Sequence, residues 1–310
     1  MSGRSASGRT AAAAREGWLT SAPRRAWRLA AQTVAACLRY RVTGLAAEAA
    51  FFAVLSLPPL IFGLAGLIGF VAQQFNTATL LSFRDQIVEL ALRALTPEVV
   101  SSVILPTLDD VLSGGRADVI SIGFVLALWS GSRALNVFVD TITIMYGLGG
   151  RRSIVRTRAL SFSLYLAFLL VAVVLLPLVL AGPSFVDRVL PDQLDWLTSL
   201  YWPVVLLGSV CFLASLYHWS VPVRTPWRVD LPGAALCLGI WVTGSVLLRI
   251  VLSASTGSSS IYGPLAAPIA LLIWLYLISI AVLIGAAANA ALDLHAPERA
   301  IDHRDDVARP

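Results

Sequence analysis

Apolar runs separated by short polar connections dominate the chain, at approximately 44–72, 119–145, 159–182, 199–221, 231–252 and 264–292. Each is long enough to cross about 30 Å of hydrocarbon at about 1.5 Å per residue, and so predicts a transmembrane helix. Ahead of them, Trp27, Ala31, Val34 and Leu38 recur at helical spacing, while Arg25, Arg28, Gln32 and Arg39 take the opposite face. This pattern predicts an amphipathic helix in the membrane interface. Residues 1–22, rich in Ser, Gly, Ala and Arg without a helical period, predict a disordered cytoplasmic tail and not a signal peptide. Residues 293–310 predict a second cytoplasmic tail.

The gap between the first two apolar runs, about 73–118, predicts short outer helices. Thr79 is placed to cap a stretch in which Phe83, Ile87, Leu90 and Ala94 share a face and Arg84, Glu89 and Arg93 turn away. Thr96-Pro97 restarts the chain and Gly114-Gly115 ends the second segment. The expected fold is all-α: a six-helix transmembrane bundle over 23–292, with an N-terminal interfacial helix and short outer helices. No internal repeat is visible, although three spans per half would suit an inverted arrangement.

Composition supports this architecture. Of 310 residues, 57% are hydrophobic and 13% charged, against roughly a quarter charged in soluble domains. All 23 basic residues are Arg, which excludes P-loop and Schiff-base lysine chemistry. Arg24, Arg25, Arg28, Arg39 and Arg41 precede the first span; Arg151, Arg152, Arg156 and Arg158 lie between the second and third; Arg224 and Arg228 lie between the fourth and fifth. The alternate connections are poorly basic, so both termini are expected in the cytoplasm. The net charge of +5 is assigned to anionic lipid beside the spans, and no nucleic-acid partner is expected. Cys37, Cys211 and Cys237 stand apart in apolar surroundings and predict neither a disulfide framework nor a metal knuckle.

The second span holds the least expected residue, Arg133. Asn136 and Asp140 follow at i+3 and i+7 on one helical stripe, and Glu48 of the first span is the candidate counter-ion. A charge at membrane depth costs about 2.5–3.5 kcal/mol on insertion scales. The stripe is therefore read either as a solute-binding surface within the bundle or as a buried structural arginine. Pro58-Pro59 removes two backbone donors in the first span and predicts a break, which would free carbonyls for a solute site or merely kink a packed helix. Gly63, Gly66 and Gly69 would permit close helix contact. Arg151, Arg152, Arg156 and Arg158 could hold lipid head groups, or serve only as topogenic charge. His218 and His295 are far apart in sequence, and Asp109-Asp110 is a lone carboxylate pair, so no metal site is expected. No Walker, dinucleotide-binding, G-x-S-x-G or H-E-x-x-H sequence appears, and no cofactor or catalytic residue is expected.

Several segments resemble the YihY/BrkB family of bacterial inner-membrane proteins, over approximately 24–292. They are Ala50-Phe51-Phe52-Ala53-Val54-Leu55-Ser56-Leu57-Pro58-Pro59, Leu128-Trp129-Ser130-Gly131-Ser132-Arg133, Leu216-Tyr217-His218 with Pro222, Trp227 and Pro232-Gly233-Ala234, then Tyr262-Gly263-Pro264 and Trp274-Leu275-Tyr276 leading to Gly285-Ala286. One departure stands out: where the family carries a Gly-Ala-Glu segment in the last span, this chain has Gly285-Ala286-Ala287-Ala288-Asn289. The resemblance implies an inner-membrane location and a transporter-like role, and older labels of such proteins read ribonuclease BN. The chemistry above argues against a nuclease. Two functions are weighed: a secondary transporter or lipid translocator acting through the Arg133 stripe, and a non-transporting scaffold that meets envelope partners through residues 73–118; membrane lipids and further copies of the chain are the other partners considered. A lipid-directed membrane enzyme would need a nucleophile and base pair that the sequence does not display.

Overall fold

The computed structural model describes residues 27–72, 84, 85, 88, 89, 92, 97, 100–112, 117–181, 196–223, 226–255 and 266–293. Its helices are α1 (27–39), α2 (Val42–Ala72), α3 (Leu105–Leu112), α4 (Ala117–Met145), α5 (Ile154–Ala181), α6 (Trp196–Ser220), α7 (Leu231–Ser255) and α8 (Ala266–Asp293). A π-helical turn, Val100–Ile104, leads into α3, and a 3-10 turn, Trp227–Val229, leads into α7. Among the described residues there is no strand, and six helices (α2 and α4 to α8) are long and apolar enough to cross a membrane. The chain is thus a multi-pass helical membrane protein, as the apolar runs predict. The two tails, Thr79 and Gly114-Gly115 lie outside the described residues.

The spans form one bundle. The α2–α4 contact is the most extensive; α5 packs on α4, α8 on α2, α7 on α8 and α6 on α7, with α4 also meeting α6 and α8. A shared core near one end draws on Val42, Leu135, Val139, Ile142, Leu213, Tyr217, Cys237 and Leu283. That end also carries the Arg-rich turn after α4, and is called the basic end below. Elsewhere the outward faces are apolar, as with Leu207, Val246, Leu247 and Ile250, because hydrocarbon and not water surrounds them.

Pro58 and Pro59 do not divide the first span. α2 remains one helix from Val42 to Ala72 with both prolines inside it, so the expected break is corrected to an uninterrupted helix. Two serine hydroxyls bond the backbone just upstream, Ser56 Oγ donating to the Ala53 carbonyl at 2.7 Å and Ser130 Oγ of α4 to the Phe52 carbonyl at 2.9 Å. The carbonyls that the prolines deprive of helix donors are the next two, those of Val54 and Leu55. Gly63 does allow close approach, since a β-carbon there would press on the Phe124 ring of α4.

α1 is three-sided. Ala36, Cys37 and Tyr40 pack against the core, Arg28 and Arg39 are exposed on a second side, and Trp27, Val34 and Leu38 form an exposed apolar side. An elbow joins it to α2: Arg41 adopts a left-handed φ of 53° and donates its N–H to the Leu38 carbonyl at 3.2 Å. At the far end of the bundle, Arg84 grips Asp109 of α3 through two bonds, Nε–Oδ1 at 2.6 Å and Nη2–Oδ2 at 3.1 Å. The bonds from Arg84 hold the Asp109 carboxyl below its ordinary pKa.

Candidate functional site

α4 carries its exposed residues on one face. In the half remote from the basic end they are Ile122, Val125, Leu126 and Trp129. In the other half, at the same helical register, stand half-buried Arg133 and Asn136 and exposed Asp140, followed by exposed Ile144. A polar stretch therefore interrupts an otherwise apolar face. The stripe lies along a seam bordered by α2 on one side and α5 on the other.

Its members have different partners. Arg133 donates through Nη2 to Glu48 Oε1 of α2 at 3.2 Å, and its guanidinium carbon lies 5.4 Å from the centre of the Phe52 ring. The two side chains retain 39% and 38% of their exposure, which places the pair on the surface of the seam. Asn136 Oδ1 instead accepts from Ser161 Oγ of α5 at 3.3 Å. Asp140, exposed, lies one turn closer to the basic end, and the Arg133 pairing goes to Glu48. The apolar stretch Ile122–Met145 contains all three.

Tyr165 of α5 bounds the seam on the side away from the basic end. Its ring crosses α4 at Gly131, where a β-carbon would overlap the ring, and its hydroxyl lies near Ser56 of α2. Only glycine leaves that crossing open. Beyond it are the aromatic contacts of Phe52 with Phe51, 5.5 Å between ring centres, and with Trp129, 6.3 Å. Arg158, Ser161 and Tyr165 are spaced i, i+3 and i+7, so one stripe of α5 lines its border of the seam.

A second polar cluster locks the basic end. The fully buried Asn289 of α8 accepts the Gly233 N–H at 2.7 Å and donates to the Asp230 carbonyl at 3.0 Å. Asn289, at the departure from Gly-Ala-Glu, is thus a neutral clamp on the first turn of α7, satisfying an N–H that helix geometry leaves over. Gly233 and Gly285 face each other backbone to backbone, with the Tyr217 hydroxyl against Gly285 and donating to the Val282 carbonyl at 2.9 Å. His218 Nδ1 lies 3.4 Å from the buried carboxylate of Asp230.

The four arginines of the expected head-group cluster separate. Arg152 turns inward and donates to the carbonyls of Trp219, Ser220 and Val221 at 3.3, 2.9 and 3.2 Å, capping the C-terminus of α6; Thr143 adds a bond to the Ser220 carbonyl. Burial lowers the Arg152 pKa, while the carbonyls suit a cation at a helix C-terminus. Arg152 is therefore removed from the head-group set. Arg151 and Arg156 are exposed, and Arg158 is half-buried.

The sequence signalled Arg133, Glu48 and the flanking glycines, but not Phe52, Ser161 and Tyr165 as their companions. An i, i+3, i+7 search of the third span for polar residues would have found Arg158, Ser161 and Tyr165. Among the described residues no group of three His, Cys, Asp or Glu could hold a metal ion.

Comparison with known proteins finds a match of residues 33–309 to the family described as virulence factor BrkB. The chain is also similar to the putative ribonuclease-like protein YfkH of Bacillus subtilis (strain 168), at 28% identity over 253 residues, or 79% of this chain and 88% of that protein. No solved structure matches.

Proposed function

The chain belongs to the virulence factor BrkB family, and we propose that it moves a lipid or another amphiphilic solute along the polar seam of α4. One observation carries this reading: the Arg133–Glu48 pair lies on the outward face of a membrane span, with more than a third of each side chain exposed. Bare hydrocarbon cannot accommodate an exposed ion pair at low cost, whereas water or a lipid head group can. Trp129 and Leu126, on the same face, continue the path with apolar surface suited to acyl chains. Without a nucleotide-binding motif, movement would follow a gradient or draw on another protein.

The reading includes a bacterial inner-membrane location with both termini in the cytoplasm, so that the seam opens to the inner leaflet. The ribonuclease-like name of YfkH is not carried over: Asp109, half of the outer carboxylate pair, is committed to Arg84. A second copy of the chain covering the seam is the competing reading, motivated by the same exposure.

The test is reconstitution of purified protein into phosphatidylethanolamine–phosphatidylglycerol liposomes with a trace of head-group-labelled lipid, followed by dithionite quenching. Wild-type protein should carry inner-leaflet label outward faster than protein-free liposomes, and Arg133→Leu should abolish the gain while remaining folded. Rates equal to protein-free liposomes, or undiminished in Arg133→Leu, would overturn the proposal. Crosslinking of a cysteine at Asp140 to the same residue in another copy would favour the dimer reading.

A further inference from the structure

The charges bordering the seam balance. Arg133 and Arg158 contribute two cations, while Glu48 and Asp140 contribute two carboxylates. A site for a purely anionic group would carry excess positive charge, as phosphate-binding arginine clusters do. A balanced arrangement complements a ligand that bears both signs at short separation.

The bonding of the central pair agrees. Among the described residues, Arg133 engages only Nη2, leaving Nε and Nη1 as donors, and Glu48 engages only Oε1, leaving Oε2 as an acceptor. The Phe52 ring lies beside the guanidinium, its centre 5.4 Å from the central carbon and within cation–π range, and a planar guanidinium with free donors suits bidentate capture of phosphate. The free Glu48 oxygen lies beside it for an ammonium. Tyr165 ends the polar stretch, and Phe51 and Trp129 begin the apolar one immediately beyond.

We propose that the seam recognises a zwitterionic phospholipid head group, with its phosphate on Arg133, its ammonium on Glu48 and its acyl chains along Phe51 and Trp129. This rests on the lipid-handling reading above and names the class of lipid. The sideways opening of the seam onto the bilayer makes lipid, not a free solute, the source of the zwitterion.

The experiment is equilibrium binding to the purified full chain in a non-ionic detergent, with three probes: dioctanoyl phosphatidylethanolamine, dioctanoyl phosphatidylglycerol and water-soluble glycerophosphoethanolamine. The zwitterionic lipid should bind about five- to tenfold more tightly than the anionic one, the effect of one additional ion pair worth about 1 kcal/mol. Glu48→Gln should erase that preference, Glu48→Asp should keep most of it, and Arg133→Gln should weaken both lipids. The exchange Glu48→Arg with Arg133→Glu retains both charges and should restore the preference, which separates recognition from mere folding. Equal or tighter binding of the anionic lipid by wild-type protein, or a preference that survives Glu48→Gln, would overturn the inference. Glycerophosphoethanolamine binding as tightly as the lipid would overturn the lipid source. Binding is read independently of movement: head-group preference without translocation removes only the translocator, and translocation without preference removes only this inference.

Discussion

The ring of Tyr165 lies across the backbone of α4 at Gly131, in the space that any β-carbon would occupy. Through this crossing a residue of the third span reaches Ser56 of the first and closes one end of the polar seam. Gly131→Ala should displace Tyr165, with an overpacking cost of about 1–3 kcal/mol. Tyr165→Phe keeps the ring and removes only the hydroxyl, for about 1 kcal/mol. Thermal unfolding in detergent should therefore rank Gly131→Ala below Tyr165→Phe; the reverse order would show that the hydroxyl, not the fit, holds the crossing.

Asn289 should be the most sensitive polar residue of the last span. Asn289→Leu strands the buried Gly233 N–H, at about 1–3 kcal/mol for an unsatisfied group, and removes one of two donors to the Asp230 carbonyl, which keeps the Ala234 N–H. Asn289→Asp keeps the acceptor, loses the donor and buries an ionisable group, and should also lower the unfolding temperature. Because the clamp is remote from the seam, head-group binding by protein that remains folded should be unchanged in either variant.

Arg152 has a structural assignment that can be separated from topology. Arg152→Lys retains the charge, but a single ammonium cannot match the planar fork that meets three successive carbonyls. The expected result is normal insertion and orientation with reduced thermal stability, Arg152→Ala being lower still. If Arg152→Lys matched wild-type stability, the cap would be electrostatic alone. Arg151→Ala, at an exposed position, should change stability by less than about 0.5 kcal/mol.

Ser130→Ala removes the cross-helix donor to the Phe52 carbonyl of α2. A bond of this kind contributes about 1 kcal/mol, so the variant should unfold at a lower temperature than wild type; an unchanged temperature would show that the bond adds nothing. Pro58→Ala with Pro59→Leu should raise the unfolding temperature, since each interior proline costs a helix about 3 kcal/mol.

How far the fold can be read from sequence follows from the solvent. Hydrocarbon demands long apolar helices, so the six spans are visible as runs whose ends agree with the structure to within a few residues. The same solvent hides which side of each helix faces a neighbour. Trp129 and Ile142 of α4 are both apolar, yet the first is exposed and the second fully buried. For that reason the Arg133 stripe could be recognised as polar, while its half-buried place between α2 and α5 could not. Arg152 carries a parallel lesson: its partners Trp219 to Val221 lie 67 to 69 positions away, beyond any local pattern. Pro58-Pro59 shows the reverse error, a strong local signal for a break in a helix that runs on from Val42 to Ala72.

The elbow at Arg41 makes α1 an outrigger. Residues 27–39 form an arm of about 20 Å at 1.5 Å per residue, held at its inner end by Ala36, Cys37 and Tyr40 and exposing Trp27, Val34 and Leu38. A rotation of about 10° at the elbow moves its tip by about 3.5 Å on that arm length. Glu48 lies less than two turns beyond the pivot. Any displacement of α1 is therefore delivered at the foot of the helix that holds one half of the ion pair.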